Sequence, residues 1–383
     1  MKDETKIVTT GRDPKAHAGA VNTPVYRAST IIYPSLAAIR GKQKIPYTYG
    51  RRGTPTTAAL QEAISELEGA DGTMLTPSGA SAVSLAIMSA VETGSHMLMV
   101  DSVYQPTRKL CDRLLTRLGV ETEYYDPLIG GDIATLMRDN TALVFMESPG
   151  SQTFEVQDVP TIVAAAQKRG VKTAIDNTWA TPLNFRPLEH GVDFSVLAAT
   201  KYVVGHADAL LGTVAAKGNN FKQLKEVHGL IGYSVGPDDV FLALRGLRTM
   251  PTRMKQHQHA ALDIAAWLQS LSFVRKIYYP AMPDAPGHDL WQRDFSGAGG
   301  LFSVELEPCS EEQLAAMLDN MRLFGMGYSW GGFESLIVPC EIVRTASRFE
   351  TDGRMLRLNI GLEHVNDLKD DLRDGFARAG YAA

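Results

Sequence analysis

Short apolar runs alternate with stretches of helical period through the first two-thirds of the chain. Met74–Leu75, Met97–Val100, Ala142–Glu147, Lys172–Ile175 and Phe194–Ala198 read as strands. Between them, Leu60, Ile64 and Leu67 share one helical face, with Thr56 or Thr57 as the predicted cap and Gly69 as the stop. Val83, Ile87 and Val91 mark a second helix that opens at Ser78-Gly79-Ala80. Two more are predicted around Thr107–Leu118 and over Pro160–Arg169, the latter ended by Gly170. Strands alternating with helices predict an α/β architecture built on a doubly wound, mostly parallel sheet.

The flanks differ in texture. Residues 1–52 hold few periodic stretches, and AVNTPVYRAST reads as an extended arm too small to build its own core. Such an arm lies across another subunit or the main domain. Residues 53–240 then form the large α/β domain. After Asn219-Asn220 a helical region opens at Pro237-Asp238-Asp239 and runs toward Leu271, with Pro251 as a candidate break. Strands Gly300–Leu306 and Met355–Ile360, with helices Glu311–Met321 and Asn366–Ala379, complete a smaller C-terminal α+β domain over 241–383.

Composition narrows the partners. The 383 residues carry a formal net charge of −5, with 44 % hydrophobic and 21 % charged residues. Neither sign gathers in long blocks, which argues against nucleic acid and anionic membranes as partners. No stretch reaches the roughly 18 apolar residues of a spanning helix, and the charged N-terminus lacks a signal core. Cys111, Cys309 and Cys340 are too scattered for a metal pair, and three unpaired thiols suit a reducing, cytoplasmic setting. His257 and His259, two apart in a helical region, face different ways, so no metal site is expected.

The chemistry collects where strands end, since ligands bind at the carboxyl ends of an open α/β sheet. Asp176 follows one strand, and Thr200-Lys201 follows the next. A lysine there is either a surface residue or an amine desolvated enough to form a Schiff base; the neighbouring acid favours the second. Pro77-Ser78-Gly79-Ala80 opens a helix whose backbone amides suit a phosphate, although such a turn can serve packing alone. Thr200, Tyr49 and Arg51 offer further phosphate donors, and Tyr104 follows a strand end where it could stack on a ring. A lysine amine, an acid to protonate a pyridine nitrogen and a phosphate cradle together are what pyridoxal phosphate requires. The G-x-G-x-x-G and P-loop patterns are absent.

These segments resemble the Cys/Met-metabolism pyridoxal-phosphate enzymes of fold type I. The likeness runs through AVNTPVYRAS, YGRRGTPT, ELEGADG, FMESPGSQTFEVQDVP, IDNTWATPL, AATKYVVGHADALLGT, GYSWGGFESL and RLNIGLE, nearly the whole chain. It implies pyridoxal 5′-phosphate bonded to Lys201, with Asp176 on the pyridine nitrogen and Tyr104 stacked on the ring. It also implies that Gly79, Ala80 and Thr200 bind the phosphate from the same subunit. Tyr49 and Arg51 are similar to residues that reach a neighbouring subunit's phosphate, implying a homotetramer with shared sites. Arg357 resembles the arginine that forks onto the substrate carboxylate. Ser329 assists it, and Tyr328 and Trp330 shape the side-chain pocket.

The chain departs from the family at Ala198, where many relatives carry serine, and at Ser329-Trp330-Gly331-Gly332, where γ-acting relatives read S-L-G-G. The latter resembles the β-lyase branch, implying C–S cleavage of an amino-acid thioether such as L-cystathionine. γ-Lyase or γ-synthase chemistry is the alternative. A cofactor-free aldolase using Lys201 leaves Asp176 and the phosphate cradle unexplained, and a binding module leaves all three strand-end residues so.

Overall fold

The computed structural model describes residues 1–381. Its larger sheet holds β1 (Gly72–Thr76), β2 (His96–Val100), β3 (Glu121–Tyr125), β4 (Thr141–Glu147), β5 (Lys172–Asp176), β6 (Phe194–Leu197) and β7 (Gly212–Ala216). Their order is β1-β7-β6-β5-β4-β2-β3. From β6 to β3 every pairing is parallel, while β7 runs antiparallel to both its neighbours. The central strands β2 and β6 are buried along their whole length and read as mostly apolar runs, broken only by His96 and Ser195.

The reversal at β7 matters for the site. β6 and β7 are sequential and antiparallel, so the connection between them leaves and re-enters the sheet at the carboxyl end of β6. That connection carries Lys201. The carboxyl ends of β2, β4, β5 and β6 therefore bring Tyr104, Glu147, Asp176 and Lys201 to one edge.

The smaller sheet is antiparallel. β8 (Val274–Tyr278), β9 (Leu301–Leu306), β10 (Leu336–Pro339) and β11 (Arg354–Asn359) take the order β10-β11-β9-β8. The Pro237–Gln269 helix runs through Pro251 without ending. It buries Leu244, Leu247, Ile264 and Leu268, so its packing outweighs the lost hydrogen bond.

Several local features differ from expectation. The helix over Pro55–Glu68 is capped by Thr54, not by Thr56 or Thr57. The Thr54 hydroxyl accepts the Thr57 N–H at 3.3 Å, and the Thr57 hydroxyl accepts the Thr54 N–H at 2.8 Å. Thr56 is used elsewhere: its hydroxyl accepts the Tyr26 N–H and donates to the Pro24 carbonyl, both at 2.8 Å, fastening the arm. The helix expected over Thr107–Leu118 begins at Gln105 and widens into a π-helical turn at Leu110–Leu115. Within the first fifty residues, Asp3–Thr9 is helical and buries Ile7 among Leu60 and Ile64. Beyond it the arm leaves Val21, Ile32, Leu36 and Ile39 exposed.

Candidate active site

A cavity of about 270 Å³ opens at the carboxyl edge of the larger sheet. Its walls include Gly79, Ala80, Tyr104, Asp176, Thr200, Lys201, Tyr328, Trp330 and Arg357. Nine of the twelve residues expected to form the site thus share one cavity, although they span more than 270 positions of sequence.

Lys201 sits in the turn after β6. That turn closes through Lys201 N–H to Ala198 O at 3.0 Å and Gly205 N–H to Lys201 O at 2.7 Å. Arg253 clamps it from the long helix, donating to Tyr202 O at 2.7 Å while also bonding Gly246 O of its own helix at 2.8 Å. Gly205 is required here: it has φ +69°, and a Cβ would stand 2.0 Å from the Arg253 guanidinium. The Lys201 amine donates to Ser329 Oγ at 2.9 Å and lies 5.2 Å from the centre of the Trp330 ring. Burial, then the Arg357 charge, push the amine down to about 8, while Asp176 pulls the other way. A lysine so placed is a competent nucleophile near neutral pH.

Asp176 ends β5. Burial raises its carboxyl; hydrogen bonds from the Thr178 hydroxyl and from the Thr178 N–H at 3.0 Å, then the Lys201 charge, oppose the rise. The same hydroxyl accepts the Ala198 N–H at 2.8 Å, so one threonine joins the ends of β5 and β6.

The anion end is built by the Gly79–Met88 helix. Ser78 caps it through the Ser81 N–H, leaving the Gly79 and Ala80 amides at the open helix terminus. A Cβ on Gly79 would stand 2.4 Å from that of Ala198, so glycine permits the close approach of helix and strand end. The Thr200 hydroxyl donates to Leu211 O at 3.1 Å and accepts the Leu211 N–H at 3.0 Å, bracing the connection while facing the cavity.

Arg357 on β11 is buried and donates to Tyr328 O at 2.6 Å. Burial lowers its guanidinium from the ordinary value, leaving it charged. Asn359, two residues on, accepts the Gly331 N–H at 3.0 Å and donates to Glu334 O at 2.8 Å, fixing the Tyr328–Trp330 loop on the same strand. Ser329 does not line the cavity wall but meets Lys201 directly.

Tyr49 and Arg51 stand apart. Tyr49 is exposed, and Arg51 donates to Gly229 O at 3.3 Å beside a separate hollow. Sequence reading assigned no role to Glu147, Thr178 or Asn359. The first two could have been found as polar residues at or just beyond strand ends, and Asn359 by its i,i+2 spacing from Arg357.

The residues fit pyridoxal phosphate: a neutral-capable amine, a buried carboxyl that accepts two hydrogen bonds from Thr178, and open helix amides at the same cavity. No group of residues suited to a metal ion occurs among the described residues.

The Cys/Met metabolism PLP-dependent enzyme family matches residues 4–377. A Rhizobium johnstonii protein provisionally named a cystathionine beta-lyase is 51 % identical over 380 residues, covering 98 % of this chain and 96 % of that one. Cystathionine beta-lyase MetC of Escherichia coli is 44 % identical over 389 residues, covering 98 % of each. Among solved structures, a Xanthomonas oryzae pv. oryzae cystathionine gamma synthase in complex with aminoacrylate and cysteine superposes with a TM-score of 0.92. It is 32 % identical and covers 99 % of each chain.

Proposed function

This chain belongs to the Cys/Met metabolism PLP-dependent enzymes, and we propose that it is a cystathionine β-lyase, cleaving L-cystathionine to homocysteine, pyruvate and ammonia. Its cofactor is pyridoxal 5′-phosphate. The observation that carries the β-reading over the γ-alternative is Trp330, whose ring centre lies 5.2 Å from the Lys201 amine and 5.5 Å from the centre of the Tyr202 ring, which it meets edge-to-face. An indole there, with Tyr328, fills the space along the substrate chain.

In this reading Lys201 holds the cofactor aldehyde, Asp176 its pyridine nitrogen, and Gly79, Ala80 and Thr200 its phosphate. Bound there, the cofactor supplies an electron sink for the carbon from which a proton is taken. Arg357 forks onto the substrate carboxylate, and Ser329 supports it. Lys201, released as a neutral amine, takes the α-proton. Lys201 or Tyr104 then returns a proton to the departing sulfur. Burial, the largest cause, keeps the Tyr104 phenol above its ordinary value, so it can serve as the acid.

Tyr49 and Arg51, remote from their own cavity, reach the phosphate of a neighbouring copy, and the exposed apolar side chains of the arm support such an assembly. A homotetramer in the cytoplasm, with arm 1–52, large domain 53–240 and C-terminal domain 241–383, completes the proposal. No helix among the described residues is long and apolar enough to cross a membrane. The test is incubation with L-cystathionine and identification of the keto acid. Pyruvate supports the β-lyase; 2-oxobutyrate replaces it with a γ-lyase.

A further inference from the structure

We propose that Glu147 is a positioning residue of this site: its carboxyl holds the backbone amide of Tyr104 and so sets where the tyrosine phenol stands in the cavity. The inference rests on the role given to Tyr104 above.

Glu147 is the last residue of β4 and lines the same cavity as Tyr104 and Asp176. Its Oε2 accepts the Tyr104 N–H at 2.8 Å. The Tyr104 carbonyl is taken by the helix that follows, accepting the Thr107 N–H at 2.9 Å and the Arg108 N–H at 3.2 Å. The helix thus grips one side of the residue and Glu147 the other. Tyr104 lies in the chain just beyond β2, where no strand partner fixes its N–H, so the carboxyl supplies the missing acceptor.

The charge state follows from what surrounds it. In the parallel register Glu147 is paired directly with Asp176, and two adjacent carboxyls do not both ionise readily. Asp176 has the better support, with two hydrogen bonds from Thr178 and the Lys201 charge. Tyr104 faces Glu147 from the β2 side with one N–H. From the β10–β11 connection Arg344 approaches, already paired with Glu155 at 2.8 Å. Burial, then the Asp176 charge, place Glu147 well above the carboxylate range. Glu147 therefore serves as a neutral acceptor, leaving Asp176 as the charged group of the pair.

A neutral acceptor has an isostere. In the holoenzyme, Glu147→Gln keeps a side-chain carbonyl for the Tyr104 amide; Glu147→Leu keeps the volume without it, and Glu147→Ala removes both. The Gln variant is expected to retain kcat within about threefold, with an unchanged pH profile. Leu and Ala lower kcat about 30-fold, with KM little changed and cofactor content intact. On a Tyr104→Phe background the Leu substitution costs no more than about threefold, because the group it positions is already gone.

Equal damage from Gln and Leu overturns the proposal, as does a full additional loss on the Tyr104→Phe background or loss of bound cofactor in the Leu variant. Full activity of the Leu variant also overturns it. These comparisons use whichever thioether the wild-type enzyme turns over. A γ-product from wild-type enzyme thus overturns the β-lyase reading without touching the Gln–Leu contrast.

Discussion

The Lys201 amine lies 2.9 Å from the Ser329 hydroxyl. This contact spans 128 positions of sequence and joins the connection after β6 to the loop that precedes β10. The larger sheet supplies the nucleophile, and the smaller sheet supplies the loop that keeps it aimed into the cavity. Neither sheet forms the site alone.

The buried amine should show itself in cofactor capture. Only neutral lysine attacks an aldehyde, and Lys201 is pushed down to about 8, first by burial and then by Arg357. The rate at which cofactor-free protein gains its visible absorbance on mixing with pyridoxal phosphate should rise with pH through a midpoint near 8. A midpoint at or above about 10, that of an ordinary lysine, contradicts the described environment.

Thr178 tunes Asp176. Thr178→Val removes a hydrogen bond to the carboxylate, so the Asp176 carboxyl climbs further under the burial that already raises it. The site needs the charged form, and a higher pKa means that a higher pH is required to reach it. The acid limb of kcat/KM should move up by about one pH unit. An unmoved limb shows that Asp176 does not govern it.

Arg357 is a fork, not merely a charge. Arg357→Lys keeps the charge but loses the paired donors that match a carboxylate. We expect kcat/KM for the amino-acid substrate to fall about 100-fold, with the absorbance of the bound cofactor unchanged. A fall below about threefold removes Arg357 from the substrate site.

Glu68 carries a stability signature away from the chemistry. It closes the Pro55–Glu68 helix, fully buried, with the Ser195 hydroxyl donating to it at 3.0 Å. Burial pushes its carboxyl from 4.5 up to about 8, against the pull of that bond. Its folded value exceeds its unfolded one, so the folded chain holds the proton more tightly. The stabilisation is complete below the unfolded value and is lost as pH rises through the folded one. Between these limits stability should fall by up to about 1.4 kcal/mol per pH unit. Glu68→Gln should flatten this slope in urea unfolding, and an unchanged slope assigns it to another group.

Much of this was legible in the chain. Strands buried on both faces, such as β2, β4 and β6, announce themselves as apolar runs, and residues that follow them fall at one edge by the geometry of a parallel sheet. Lys201, Asp176, Tyr104 and Gly79 were found that way. β3 was not, because ETEYY is a polar edge strand with only Tyr125 fully buried. β7 is small and glycine-led, and β8 carries two basic residues among five. The cap at Thr54 was missed because three threonines crowd that helix start, and only the reciprocal bonds between Thr54 and Thr57, with Thr56 engaged by the arm, separate them. Glu147 was hidden for another reason: its partner is a backbone amide 43 positions away, and no motif spacing records such a bond.

The central claim is that the amine of residue 201 bonds the cofactor aldehyde. Borohydride reduction of the purified yellow protein makes that bond permanent, and mass spectrometry of a digest then locates it. The account predicts the added cofactor mass on the peptide containing Lys201 and on no other. A reduced adduct at a different lysine, or none at any, contradicts it.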